Sequence, residues 1–409
     1  MNYLFVHQNF PGQFKHIAPT LAKDKDNRVI GFTMNNFPST DDLQIISYKA
    51  GRGNGQDTHE LLREFETKVI RGDSAYRAAI ELEKSGFRPD AIIAHPGWGE
   101  SLFLKDVWPD ARLGIYCEFF YKYENADVGF DPEFPDSVDG KARYVRMKNV
   151  NNMVHMEMAD AGISPTLWQA STFPNNFRDR ISVIHDGIDT AVVAPKENAF
   201  VTINGTLRLD RHTEIITFVN RNLEPYRGYH VFMRALPQIL KSRPGAHVIV
   251  VGGDGLSYGQ AAPPGATWKQ IFLNEVKNDL DISRVHFVGH LSYRNFVSLL
   301  QVSSVHVYLT YPFVLSWSLL EAMSAGCAIV ASDTPPVKEV ISSELNGVLV
   351  NFFDHEALAG RVIELLSNPE RRRVLGANAR ELAVKNYDLH SVCLPKQLNW
   401  VRQLATSGR

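Results

Sequence analysis

Short apolar runs alternate with amphipathic stretches along almost the whole chain. In the first half, Tyr3–His7, Arg28–Thr33, Gln44–Tyr48, Asp90–His95, Arg112–Cys117 and Arg180–His185 read as strands. Between them, 13–23 places Phe14, Ile17, Ala18 and Leu21 on one helical face, 58–85 is a long helical region whose mixed charge fits a solvated face, and 141–159 is a further helix. From 125 to 140 the chain is acidic, contains proline and has little periodicity, which predicts a long surface loop near the first domain's open edge.

Between Val192 and Thr213 the pattern weakens, and VTINGTLRL predicts a hairpin turning on Asn204 and Gly205. A second strand and helix series follows: 215–220, 229–242, 247–252, 268–279, 285–289, 293–302, 305–309, 316–325 and 327–331. Alternation in both halves predicts an α/β protein with two doubly wound parallel sheets. The expected division is 1–190 and 191–387, with a last helix at about 388–409 returning to the first domain. A chain of 409 residues with 44% hydrophobic content can fill two such cores.

Charge narrows the function more by exclusion than by indication. The 43 basic and 45 acidic residues give a net charge of −2, so no global field draws the chain to nucleic acid or an anionic membrane. Cys117, Cys327 and Cys393 are odd in number and far apart, against a disulfide framework or zinc site. The N-terminus lacks a basic leader pattern and no apolar run approaches the roughly 18 residues of a membrane span, so a reducing, cytoplasmic setting is expected, with peripheral contact at the membrane's cytoplasmic face left open.

Candidate chemistry collects where strands end. Arg221 and Arg227 lie between a strand and a helix, where two guanidinium forks suit a diphosphate; the competing reading is a surface loop in which they pair with Glu224. Gly252-Gly253-Asp254-Gly255 closes a strand but lacks the full dinucleotide pattern. Ser316, Trp317 and Ser318 open a helix directly after a strand, a ready anion site. Ser318 to Glu321 also fits a capping box, and Glu321 at that helix mouth suits ribose hydroxyls; the two roles are compatible. In the first half Gly12 marks a turn, as plain geometry or as ligand contact. His95 and Trp98 follow one strand. Glu118 stands between another strand and the aromatic run Phe119, Phe120 and Tyr121, where its carboxyl is expected to be desolvated and raised; those rings suit a sugar or simply plug the core. Arg143, Arg146 and Lys148 read as a solvated helix face or a contact for an anionic acceptor. The two Asp-x-Asp spacings, 24–26 and 279–281, lie in polar contexts, and no metal is expected.

Taken together, Arg221, Arg227-Gly228, Gly252–Gly255, Phe287-Val288-Gly289 and the stretch Leu320 to Asp333 resemble the retaining glycosyltransferases of family four, also termed glycosyl transferases group 1. His185-Asp186-Gly187-Ile188-Asp189 is similar to that family's interdomain linker. The resemblance implies a GT-B fold, with two Rossmann-like domains and a cleft between them: an N-terminal acceptor half and a C-terminal donor half. It implies transfer of a hexosyl group from a nucleoside diphosphate sugar, UDP-glucose by family habit, to a hydroxyl of a sugar-containing or small-molecule acceptor, as in polysaccharide or glycoconjugate synthesis. Neither cofactor nor metal is implied.

By position, the resemblance places Gly12, Arg221, Arg227, Gly253, His290, Leu291, Ser316, Trp317, Ser318 and Glu321 at the donor. Arg221 and Arg227 would stabilise the leaving diphosphate, with Glu118 a further catalytic candidate; His95, Trp98, Glu118, Phe119 and Tyr121 are the acceptor-side candidates. Phe313 occupies the position of the family's first glutamate, which contacts the donor sugar. A nucleotide-sugar epimerase or hydrolase, or a non-catalytic nucleotide-sugar-binding protein, is the alternative.

Overall fold

The computed structural model describes residues 1–124, 126–135 and 141–407. Seven strands form the first sheet: β1 (Asn2–Val6), β2 (Arg28–Thr33), β3 (Leu43–Ser47), β4 (Ala91–Ala94), β5 (Arg112–Tyr116), β6 (Ala161–Ser164) and β7 (Ile181–Val183). They pair in parallel in the order β3-β2-β1-β4-β5-β6-β7. Because strand side chains alternate between faces, Leu4 and Val6 of β1 enter one core and Tyr3 and Phe5 the other. The second of these cores also receives Trp400, Val401, Leu404 and Ala405 from the C-terminal helix Leu394–Thr406.

After β7 come a short antiparallel hairpin, β8 (Phe200–Ile203) and β9 (Leu207–Asp210), and six further strands: β10 (Ile215–Asn222), β11 (His247–Gly253), β12 (Val285–Gly289), β13 (Val305–Tyr308), β14 (Ala328–Ser332) and β15 (Val348–Val350). The six form a parallel sheet in the order β12-β11-β10-β13-β14-β15. Strand order reverses at β1/β4 in the first sheet and at β10/β13 in the second. Crossovers leave in opposite directions there and open a crevice at the strands' carboxyl ends.

The chain divides into two compact units: 1–124, 137–186 and 390–409 form one, and 125–136 with 187–389 the other. The expectation that 125–140 is a surface loop of the first domain is therefore corrected for its described residues, 126–135; residues 125 and 136–140 lie outside the description. The strap 126–135 packs on the second unit. Asp127 accepts a hydrogen bond from the Tyr226 hydroxyl at 2.8 Å, and Asp131 accepts one from Tyr311 at 2.9 Å and lies 3.1 Å from His230 Nε2. Phe130 packs on Tyr311, Phe352 and Phe353, and Phe134 packs edge-on to His230, Trp268 and Phe272. Anchors spaced irregularly in a turn-rich segment leave no 2.0 or 3.6 period to read.

The 141–159 helix is also divided, into Lys141–Lys148 and Val150–Met158. Asn149 sits at the break, where its side chain both accepts from the Tyr121 N–H and donates to the Tyr121 carbonyl.

Candidate functional site

Within the second unit, a cavity of about 300 Å³ opens beside β10 and the turn after β13. Its lining includes eight of the residues expected at a donor: Arg221, Arg227, His290, Leu291, Ser316, Trp317, Ser318 and Glu321. Asn220, Glu224, Ser257, Tyr258 and Phe296 complete its more distinctive walls.

The two arginines are held differently. Arg221 lies next to the end of β10 and is exposed. Arg227 is only 5% exposed; it donates to Thr310 Oγ1 at 2.7 Å, with the Val314 carbonyl and Tyr308 hydroxyl at 3.3 and 3.4 Å, and Tyr258 covers it with its ring centroid 5.0 Å away. Among the described residues neither guanidinium has a carboxylate within ion-pair distance. The pairing of these arginines with Glu224, the competing sequence reading, is thus not what forms.

The helix Trp317–Ser324 begins at the same cavity. Its N-cap is Ser316, whose hydroxyl accepts from the Ser318 N–H, while the Ser316 N–H donates to Tyr308 at 2.9 Å. The capping box expected from Ser318 is corrected: the cap lies two residues earlier. Glu321 is buried and close to the Tyr293 hydroxyl; burial first, then the charge and hydrogen bond of Glu321, push that phenol up.

Gly253 and Gly12 do not line this cavity. A Cβ on Gly253 would come within 2.5 Å of His290 Nε2 and 2.8 Å of Asn222 Oδ1, so its smallness lets those side chains close over the strand end. Gly12 belongs to the first unit, and with φ +47 and the His7 ring 2.3 Å from where a Cβ would sit, it needs to be glycine for local packing. Phe313 is also absent from the lining. It packs against Tyr226 and Tyr258 with ring centroids 5.3 Å away in each case.

Glu224 is the residue that sequence reading missed. It is fully buried, and Oε2 accepts from the N–H groups of Ser257, Tyr258 and Gly259 at 3.2 to 3.3 Å, fixing the loop that carries Tyr258. The signal was the glutamate directly before Pro225 at the strand's end, but its loop partners lie more than thirty residues on.

The first unit gathers its candidates at the carboxyl ends of β1, β4 and β5. His95, Glu118, Phe119 and Tyr121 line a small cavity of about 70 Å³ with Tyr116, Lys148 and Asn151. Trp98 does not line it, but packs against His95 and His7 with ring centroids at 4.7 and 4.8 Å. His95 Nδ1 accepts the Gly97 N–H, which assigns the proton of the neutral ring to Nε2, 3.5 Å from Glu118 Oε2. His7 likewise accepts the Asn9 N–H on Nδ1, leaving Nε2 for Gln13 at 2.8 Å; burial, reinforced by His95, pushes its imidazole down to about 3.

The Glu118 side chain, expected to be partly desolvated, is 42% exposed. The carboxyl that burial does raise, to about 7, is Glu100, five residues beyond His95. Lys148 stands 4.0 Å over the Tyr121 ring, while Arg143 and Arg146 do not line the cavity. All three cysteines are buried thiols. Among the described residues no cluster of three or more His, Cys, Asp or Glu is arranged to hold a metal, and no helix is long and apolar enough to cross a membrane.

Two units with parallel sheets of seven and six strands are the architecture of GT-B glycosyltransferases. Sucrose-phosphate synthase from Thermosynechococcus elongatus matches with a TM-score of 0.74 over 100% of both chains at 18% identity. Anabaena HepE, solved with UDP-glucose, matches with a TM-score of 0.66 over 98% of this chain and 99% of that one at 14% identity.

The sequence carries the assignment from fold to family. The model described as glycosyl transferase family 4 group matches residues 25–193, and that described as glycosyl transferases group 1 matches residues 204–382; the chain belongs to this glycosyltransferase family. It is similar to spore coat protein SA of Bacillus subtilis (strain 168), 25% identical over 77% of this chain and 79% of that protein. It is also similar to a D-inositol 3-phosphate glycosyltransferase of Corynebacterium efficiens, 26% identical over 50% of this chain and 47% of that enzyme.

Proposed function

We propose that this glycosyltransferase moves a hexosyl group from a nucleoside diphosphate sugar to an acceptor hydroxyl, with retention of configuration and without a metal. The second unit holds the donor and the carboxyl edge of the first sheet holds the acceptor. The observation that carries the reading is the meeting, at one cavity, of two guanidiniums without a carboxylate partner among the described residues and the start of the helix Trp317–Ser324.

Such a cavity favours charge that accumulates on a leaving diphosphate. Arg221, exposed, reaches the phosphate oxygens directly; Arg227, held by Thr310, is pre-oriented and loses little freedom when it binds. Glu321 accepts from ribose hydroxyls. The departing diphosphate oxygen takes the proton of the incoming acceptor hydroxyl on the same face of the sugar, so one C–O bond breaks as another forms and configuration is kept. Glu118, part-exposed and beside His95 Nε2, is proposed to orient the acceptor.

UDP is the first nucleotide to test, and UDP-glucose the first donor. A thermal-shift series with UDP, GDP, ADP and their hexose conjugates checks the reading: ligand at ~100 Kd adds about 2.7 kcal/mol, a readily measured rise in Tm. Melting unchanged by every member of the series would overturn it.

A further inference from the structure

Glu224 leaves one buried oxygen unused. Oε2 is occupied by three backbone N–H groups, but Oε1 has no hydrogen-bond partner among the described residues although the side chain is 0% exposed. A buried carboxylate oxygen without a donor is left desolvated and uncompensated, and such groups in native proteins call for an explanation. Holding the 257–259 loop requires Oε2 alone, so it does not supply one.

Glu224 lines the cavity that carries Arg221 and Arg227. A carboxylate accepts hydrogen bonds and donates none, so its missing partner is a hydroxyl or N–H group; phosphate oxygens, which are acceptors at neutral pH, are excluded. Beside it in the lining is Tyr258, whose aromatic face is fixed by the same carboxylate through the loop backbone. A carboxylate next to an aromatic face suits a ring that is hydroxylated on its edge and apolar on its face. The cavity's other carboxylate, Glu321, lies against the Tyr293 hydroxyl and is assigned to the ribose above, which leaves Glu224 as the acceptor available to the sugar.

We propose that Glu224 Oε1 accepts a hydrogen bond from a ring hydroxyl of the donor's transferred sugar, making Glu224 a sugar-specificity residue. The inference rests on the nucleotide-sugar reading above, and the test separates the two. Wild type and Glu224→Gln are titrated calorimetrically with UDP, GDP and ADP and with UDP-glucose, GDP-mannose and ADP-glucose. The Gln amide oxygen still accepts from the 257–259 N–H groups, while its NH₂ can only donate, so the charge-assisted bond from the sugar hydroxyl is lost and at most a weaker neutral one replaces it. The expected result is nucleoside diphosphate binding within about twofold of wild type and nucleotide-sugar binding weaker by about tenfold or more, the loss of one charged hydrogen bond.

Equal weakening of both ligand sets would make Glu224 a loop support only and overturn the inference, as would unchanged sugar-nucleotide binding. Failure of every nucleotide to bind wild type would overturn the parent reading as well. If Glu224→Gln melts early, monodeoxy analogues of the bound sugar nucleotide are titrated against wild type: one analogue should lose about tenfold, and parity of all with the parent would overturn the proposal.

Discussion

The carboxyl ends of the two sheets solve the problem of buried polarity in opposite ways. At β10 and β13 the polar groups are cations that stay charged at any physiological pH: Arg227 lies among hydroxyls and a carbonyl, and Arg221 stands at the cavity with no anionic partner among the described residues. At β1, β4 and β5 burial pushes the His7 imidazole down to about 3 and the Glu100 carboxyl up to about 7. The second sheet's edge is prepared for an anion whatever the pH. The first depends on groups whose charge burial suppresses, so acid should disturb it first.

Removing the unpaired cation should give the largest effect. Arg221→Ala is expected to lower transfer by roughly 10²- to 10³-fold, the scale of losing one preorganised electrostatic contact. Its far-UV spectrum and Tm should remain those of wild type, because Arg221 makes no hydrogen bond among the described residues. Initial rates and a melting curve decide it; full activity would remove the asymmetry between the sheets.

Next in size is the strap. Asp131→Ala leaves buried His230 and Tyr311 without that acceptor and should cost about 1 to 3 kcal/mol, the range for stranding buried hydrogen-bonding groups. Urea denaturation followed by fluorescence should show an early transition assigned to the second unit, with the first unit's transition unmoved.

Acid sensitivity sharpens the comparison further. Burial lowers His7 to about 3, His155 to about 4 and His185 to about 3 in the first unit; in the second it lowers His306 to about 4 and moves His247 and His286 in the same direction. Each binds a proton more readily when unfolded, so its contribution is present above about 6.5 and is lost as pH falls toward the folded value, by up to ~1.4 kcal/mol per pH unit per histidine. The first unit's urea midpoint should therefore fall more steeply between pH 7 and 5 than the second's.

The smallest effect opposes that one. Glu100 is raised from 4.5 to about 7, so its folded form holds a proton that the unfolded form has released, and its contribution is lost as pH rises through 7. Glu100→Gln keeps the neutral shape and should raise the first unit's midpoint at pH 8 relative to wild type while leaving pH 4 unchanged. A midpoint unaltered at both pH values would show Glu100 ionised in the folded chain.

Much of the architecture was legible because parallel strands buried on both faces read as continuous apolar runs, as VHVYL and CAIVA do. The arginines and the serine-rich helix start were legible because their chemistry follows directly from their place after a strand. What escaped depended on partners distant in sequence. Ser318 and Glu321 satisfied a local capping pattern, yet Ser316 became the cap because the Tyr308 hydroxyl takes its N–H. Glu118 looked enclosed by its aromatic neighbours, but Phe119 turns inward while the carboxylate stays in solvent. Glu224 looked like a surface charge until the 257–259 loop closed on it.

The strap also bears on the modularity of the gene. The second unit is not one continuous stretch of code: ten of its described residues, 126–135, are written between β5 and the helix Lys141–Lys148. A fragment spanning 187–389 would uncover the rings of Tyr311, Phe352 and Phe272 and leave the Tyr226 hydroxyl without Asp127. Chimeras that join the halves of two relatives at 186/187 would pair one parent's aspartates and phenylalanines with the other parent's tyrosines. Exchange of the second unit therefore requires two splices, with 125–136 travelling alongside 187–389.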